Sequence, residues 1–150
     1  MGCYEQDSLY FMFGQVIKLH YHRIQKLLDK LGLYHGQPPL LFILHKKNGQ
    51  SQKELADKMN IKPATITVML KRMEKSGFVE RLPDKEDQRV SRVYLTDKGR
   101  ETMKEVKKVF KSIDDDCFKN FTQEEKILLR RLFMQMRDNL LQASNDFKET

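Results

Sequence analysis

The chain has 150 residues, 39% of them hydrophobic and 33% charged, with a formal net charge of +7. That length holds one compact domain with a core and is short for two, and no apolar run approaches the roughly 20 residues that span a bilayer. The surplus of cations points to an anionic partner, but its placement matters more than its total.

The N-terminal MGCYEQDSLYFMF lacks a basic region ahead of its apolar residues and a small-residue cleavage site, and Gln6 stands where myristoylation requires Ser or Thr. Cys3 and Cys117 lie far apart and form no C-x-x-C pair, so the expectation is a reduced, cytoplasmic protein with no membrane partner. From Ser8 to Leu31, Phe13, Ile17, His20, Ile24, Leu27 and Leu31 recur at three and four, which predicts one face of a long helix closed by Gly32. Gly36-Gln-Pro-Pro39 marks a turn before a second helix, LLFILHKK, which Asn48-Gly49 ends.

Ser51-Gln-Lys-Glu54 is a capping box opening a short helix with Leu55, Ala56 and Met59 as its apolar contacts. After the tight connection Asn60-Ile61-Lys62, Pro63 starts a helix running to about Ser76, with Gly77 as its stop. FVERL and RVYL read as short strands joined by a charged loop. Thr96 caps a long helix through about Asn120, and Thr122-Gln-Glu-Glu125 is a second capping box. The last helix carries Ile127, Leu128, Leu132, Met136, Leu140 and Leu141 on one side.

Two short helices on a tight turn followed by a hairpin describe a winged helix-turn-helix. The expected fold is therefore mainly α with a small β-hairpin wing, in a single unit over 1–150. Its winged-helix DNA-binding region covers about 36–99, and long helices at about 8–35 and 100–147 flank it. A small DNA-reading unit cannot bury that much amphipathic helix, so the flanking helices are expected to build a homodimer.

On the helix from Pro63, Ile66, Leu70 and Met73 share an inward face with Met69 at its margin. Ala64, Val68, Lys71 and Lys75 point the other way, flanked by Thr65, Thr67 and Arg72. A merely solvated face carries long charged residues throughout; here the first two turns are small or β-branched and the cations come later. That suits a helix entering a major groove of double-stranded DNA N-terminus first. Small residues allow close approach, Thr hydroxyls bond base edges, Ala64 and Val68 touch thymine methyls, and Lys71, Arg72 and Lys75 reach phosphates. In the loop DKEDQRVS, Arg89 suits the negative potential of a narrow minor groove. Asp84, Glu86 and Asp87 then serve to pair with Arg81, Arg89 or Arg92 and hold the loop in shape, Asp87 being the strongest candidate to position Arg89.

The stretch QKELADKMNIKPATITVMLKRMEKSGFVERLPDKEDQRVSRVYLTDKG resembles the DNA-binding core of the MarR family of bacterial transcription regulators. The specific parts are Leu70-Lys-Arg-Met-Glu-Lys-Ser-Gly77, Val79-Glu-Arg81, Asp87-Gln-Arg89 and Leu95-Thr-Asp-Lys-Gly99. The resemblance implies a dimer on a pseudo-palindromic operator, often a repressor, with Arg89 in the minor groove supported by Asp87. Val68 stands where some relatives carry an arginine, so the DNA sequence read is not carried over.

The resemblance also implies a small aromatic or phenolic effector bound between the dimer helices and the winged region, for which His20, Tyr21, Tyr34 and His35 are the candidates. The competing reading makes His20 a core or interface histidine and Tyr34 and His35 loop residues. Carboxylates beside Cys117 disfavour its thiolate, and Cys3 has no neighbouring cations in sequence. His20 and His22 are two apart and share no helix face, so neither metal nor cofactor is expected. With no Ser-His-Asp arrangement, Gly-rich phosphate loop or dense carboxylate set, an enzyme is not expected. The runner-up is a winged-helix interaction module that does not read DNA.

Overall fold

The computed structural model of the chain describes residues 6–145. Six helices and three short strands follow in the order α1 (Leu9–Asp29), α2 (Pro38–Lys46), β1 (Gln50–Ser51), α3 (Gln52–Met59), α4 (Pro63–Lys75), β2 (Val79–Pro83), β3 (Ser91–Leu95), α5 (Asp97–Cys117) and α6 (Gln123–Asn145). Two compact units divide between Ile113 and Asp114. Among the described residues no helix is long and apolar enough to cross a membrane.

The expected punctuation is present as hydrogen bonds. Ser8 Oγ accepts from the Phe11 amide at 3.2 Å. Ser51 Oγ accepts from the Glu54 amide at 3.2 Å while Glu54 Oε2 accepts from the Ser51 amide at 2.7 Å, both halves of a capping box. Thr122 and Glu125 repeat that exchange at 3.2 and 2.8 Å before α6. Pro38 and Pro63 occupy first helical positions, where a missing N–H costs nothing. Asn60 ends α3 in the left-handed region at φ 51°, a conformation its short polar side chain tolerates.

The first unit is built around one core. Leu28, Leu33, Leu40, Leu41, Leu44, Leu55, Ile66, Leu70, Met73, Phe78 and Val93 are all nearly inaccessible to solvent. α1 contributes to it only by its C-terminal part, Ile24 and Leu28, with Leu27 and, in the turn after the helix, Leu31 packed at the edge. The N-terminal half of its expected stripe does not join this core: Ile17 and His20 are exposed.

The wing has one strand more than expected. β3 is central, pairing antiparallel with β2 from Val79↔Leu95 to Pro83↔Ser91 and with β1 at Gln50↔Val93 and Ser51↔Arg92. β1 exists because Gln50 is buried and satisfied on both sides. Its amide donates to the carbonyls of Ile43 and Lys47, at 3.2 and 2.5 Å, and its oxygen accepts from Lys58. A buried carboxamide with all these partners locks the end of α2 to the sheet.

In the second unit the rings of Phe118 and Phe121 meet edge-on at 5.9 Å ahead of α6. Ile127, Leu128, Leu132, Leu140 and Leu141 of α6 remain exposed, and Met136 is half-buried.

Candidate nucleic-acid interface

α3 and α4 pack through Leu55, Ala56, Ile66, Leu70 and Met73, which fixes the roll of α4 about its axis. Pro63, Ala64, Thr65, Thr67, Val68, Lys71, Arg72 and Lys75 are consequently all exposed. Val68 is 52% accessible, an unprotected apolar side chain at the centre of a face otherwise small or cationic. The two threonines differ. Thr67 Oγ1 donates to the Pro63 carbonyl at 2.8 Å and accepts from Gln52 Nε2 at 2.5 Å, so its hydroxyl proton is already used within the protein. The Arg72 guanidinium lies 5.6 Å from the centroid of the Tyr34 ring, within cation–π range.

The charged loop is a built turn. Asp84 Oδ1 accepts from the amides of Glu86 and Asp87 at 2.8 and 3.0 Å, and Asp84 Oδ2 accepts from Arg92 Nε. The Arg92 guanidinium beside it, with those two amides, pulls the Asp84 carboxyl down to about 2. Arg92 also donates to the Gly49 carbonyl at 3.0 Å, joining the loop to the segment before β1. Asp87 grips Arg89 in a fork, Nε to Oδ1 at 3.0 Å and Nη2 to Oδ2 at 3.1 Å, and that contact holds the Asp87 carboxyl below its usual range. Arg89 itself projects outward, its side chain 90% accessible.

Arg81 stands apart from this cluster. It donates to Glu74 Oε2 of α4 through Nε and Nη2, at 3.1 and 2.6 Å, rather than to a wing carboxylate. It holds β2 against α4 instead of shaping the loop. The signal for that pair was a Glu and an Arg seven residues apart across Gly77, readable only once the turn is known. Asp84, whose oxygens gather two amides and an arginine, carries more of the wing than the sequence indicated. Its signal is an Asp followed by backbone amides two and three residues on.

Of the four effector candidates, three come together. The rings of Tyr21 and His35 lie 4.5 Å apart. Tyr34 and His35 line an open cleft of about 440 Å³ with Gln37 and with Ala64, Thr65, Val68, Met69 and Arg72 of α4. His20 is exposed on α1 and does not line it. Cys117 is a free, exposed thiol at the end of α5, and Cys3 lies outside the described residues.

Comparison with known proteins places this geometry. A sequence profile of the MarR family matches residues 33–91, from within the α1–α2 loop to the first residue of β3. The HTH-type transcriptional regulator YsmB of Bacillus subtilis (strain 168) is 30% identical over 119 residues, 77% of this chain and 82% of YsmB. The chain belongs to the MarR family. It is a DNA-binding, winged-helix regulator of transcription. A second relative, the HTH-type transcriptional regulator YdgJ of the same organism, is 35% identical over 109 residues, which is 73% of this chain and about two thirds (66%) of YdgJ. The crystal structure of MarR superposes with a TM-score of 0.72 at 28% identity, covering 95% of this chain and 97% of that one.

Proposed function

We propose that the protein acts as a homodimeric repressor, laying α4 of each protomer into successive major grooves of a pseudo-palindromic operator and Arg89 into the flanking minor grooves. The observation that carries this is the exposed face of α4, small and apolar over Ala64 and Val68 and cationic from Lys71 to Lys75, beside a wing whose arginine is held outward by Asp87. Close backbone approach at the helix start, phosphate contacts further along and a rigid arginine beyond are what double-groove reading requires. The exposed apolar faces of α1, through Met12, Val16 and Leu19, and of α6, through Ile127, Leu128 and Leu132, support self-association, because a second copy is the partner always present to cover them. A dimer spanning two grooves represses by occupying DNA that the transcription machinery needs.

The cleft between Tyr34, His35 and α4 supports release by a small aromatic or phenolic effector: two rings line its wall and Arg72 offers a cation for an acidic substituent. Because α4 forms the other wall, an occupant competes with DNA for the same face. The test is selection of duplexes from a random DNA pool. The expected winner is an inverted repeat with half-sites about 34–36 Å apart. Enrichment of no sequence, or binding indifferent to sequence, refutes the reading.

A further inference from the structure

Gln52 is the first residue of α3 and the outlet of a two-step hydrogen-bond relay. The Thr67 hydroxyl donates to the Pro63 carbonyl at 2.8 Å, and Gln52 Nε2 donates to that hydroxyl at 2.5 Å. Turned over, the carboxamide would set Oε1 against an oxygen whose proton is already given away, so the bond within α4 selects the orientation of Gln52. One N–H of Gln52 is thereby used. The other N–H and Oε1 have no partner among the described residues. Both belong to one planar amide, tied at the half-buried edge between α3 and α4.

We infer that Gln52 reads one adenine in each half-site, with Thr67 as the residue that positions it; this rests on α4 entering the major groove as proposed above. A carboxamide offers one acceptor and one adjacent donor, the complement of adenine N6–H and N7. Fixing it beforehand removes the rotamer freedom that a loose glutamine loses on binding. Thr67, its proton spent, contributes orientation and a methyl group rather than a donor to the base.

The experiment starts from the duplex selected by the wild-type protein and measures affinity for a panel with each base pair replaced in turn. Gln52→Ala is expected to cut the preference for adenine at one position per half-site by about tenfold while the preferences elsewhere persist. Thr67→Val keeps the branched shape, removes the hydroxyl and weakens the same position with Gln52 intact. If either variant lowers affinity for every duplex alike and shifts no position, the pair is only a tie between helices and the assignment is overturned. Should Gln52→Ala fail to fold, Gln52→Met keeps the length of the side chain without its hydrogen bonds and takes the same readout. A wild-type protein that selects no sequence removes the groove reading and this assignment together. A selected repeat that neither variant alters removes only Gln52.

Discussion

Arg89 combines full exposure with a fixed direction, because the Asp87 fork holds its guanidinium while leaving the outer edge open. An ion pair this exposed adds little to folding, so Asp87→Ala is expected to leave the melting temperature nearly unchanged. Its effect falls on binding: a freed Arg89 must be ordered again in the groove. Arg89→Ala is expected to weaken operator binding on the order of tenfold, Asp87→Ala by less, and the double variant no more than Arg89→Ala alone. Titration of the four proteins on one duplex checks this, and additive losses would sink the positioning role. Asp84 predicts a pH effect of definite sign. Its carboxyl titrates at about 2 in the folded protein against an ordinary 3.8. Between those values the unfolded chain binds a proton that the native side chain refuses, so the contribution of Asp84 is whole above about pH 4 and gone below about pH 2. The Glu86 and Asp87 amide resonances should shift with a midpoint near 2; a midpoint near 3.8 would mean that neither the Arg92 contact nor the two amide bonds to Asp84 are made in solution.

Elements bounded by local chemistry were legible, and elements or contacts made across the chain were not. Ser51 with Glu54 and Thr122 with Glu125 announce α3 and α6 because each capping partner sits three residues away. β1 left no such signal: two residues form it, and Gln50 is held by Ile43, Lys47 and Lys58 rather than by any strand pattern. The same difference divides the site. The Asp87–Arg89 fork spans two residues and was expected, whereas Arg81–Glu74, Gln52–Thr67 and Arg72–Tyr34 each depend on how two elements pack. Gly99 belongs to the second kind. Its place in Thr-Asp-Lys-Gly looks like routine helix punctuation, but a Cβ there would sit 2.1 Å from the Phe78 carbonyl oxygen, where α5 meets the chain leading into β2. Thr96 reinforces that junction, donating to the Gly77 carbonyl at 2.5 Å and accepting from the Gly99 amide at 3.0 Å. Backbone cannot yield as a flexible side chain does, so Gly99→Ala is expected to cost about 3 kcal/mol. For a chain of this length that is a fall of roughly 10 °C in Tm by calorimetry. A change of only a degree or two would show that α5 can withdraw from Phe78.

At the scale of the whole molecule, symmetry and salt give a test that does not depend on knowing the operator well. If four cations of each protomer, Lys71, Arg72, Lys75 and Arg89, face the nucleic acid, a dimer neutralises about eight phosphates, and the logarithm of the binding constant falls against the logarithm of salt with a slope of about −7. α6 carries the exposed leucines proposed to join the two copies, so ending the chain after Thr122 should give a monomer in light scattering. Half the cations then remain, and the slope should drop to about −3.5 whatever the absolute affinity becomes. The two readouts constrain each other. A truncated protein that stays dimeric with an unchanged slope would move the interface away from α6. A monomer that keeps the full slope would mean that the full-length protein never engaged both of its α4 helices, and the wing and helix cations would need a different geometry on DNA. Lys71→Ala in the full-length protein closes the argument, because losing one cation from each protomer should flatten the slope by about 2 if the dimer is symmetric.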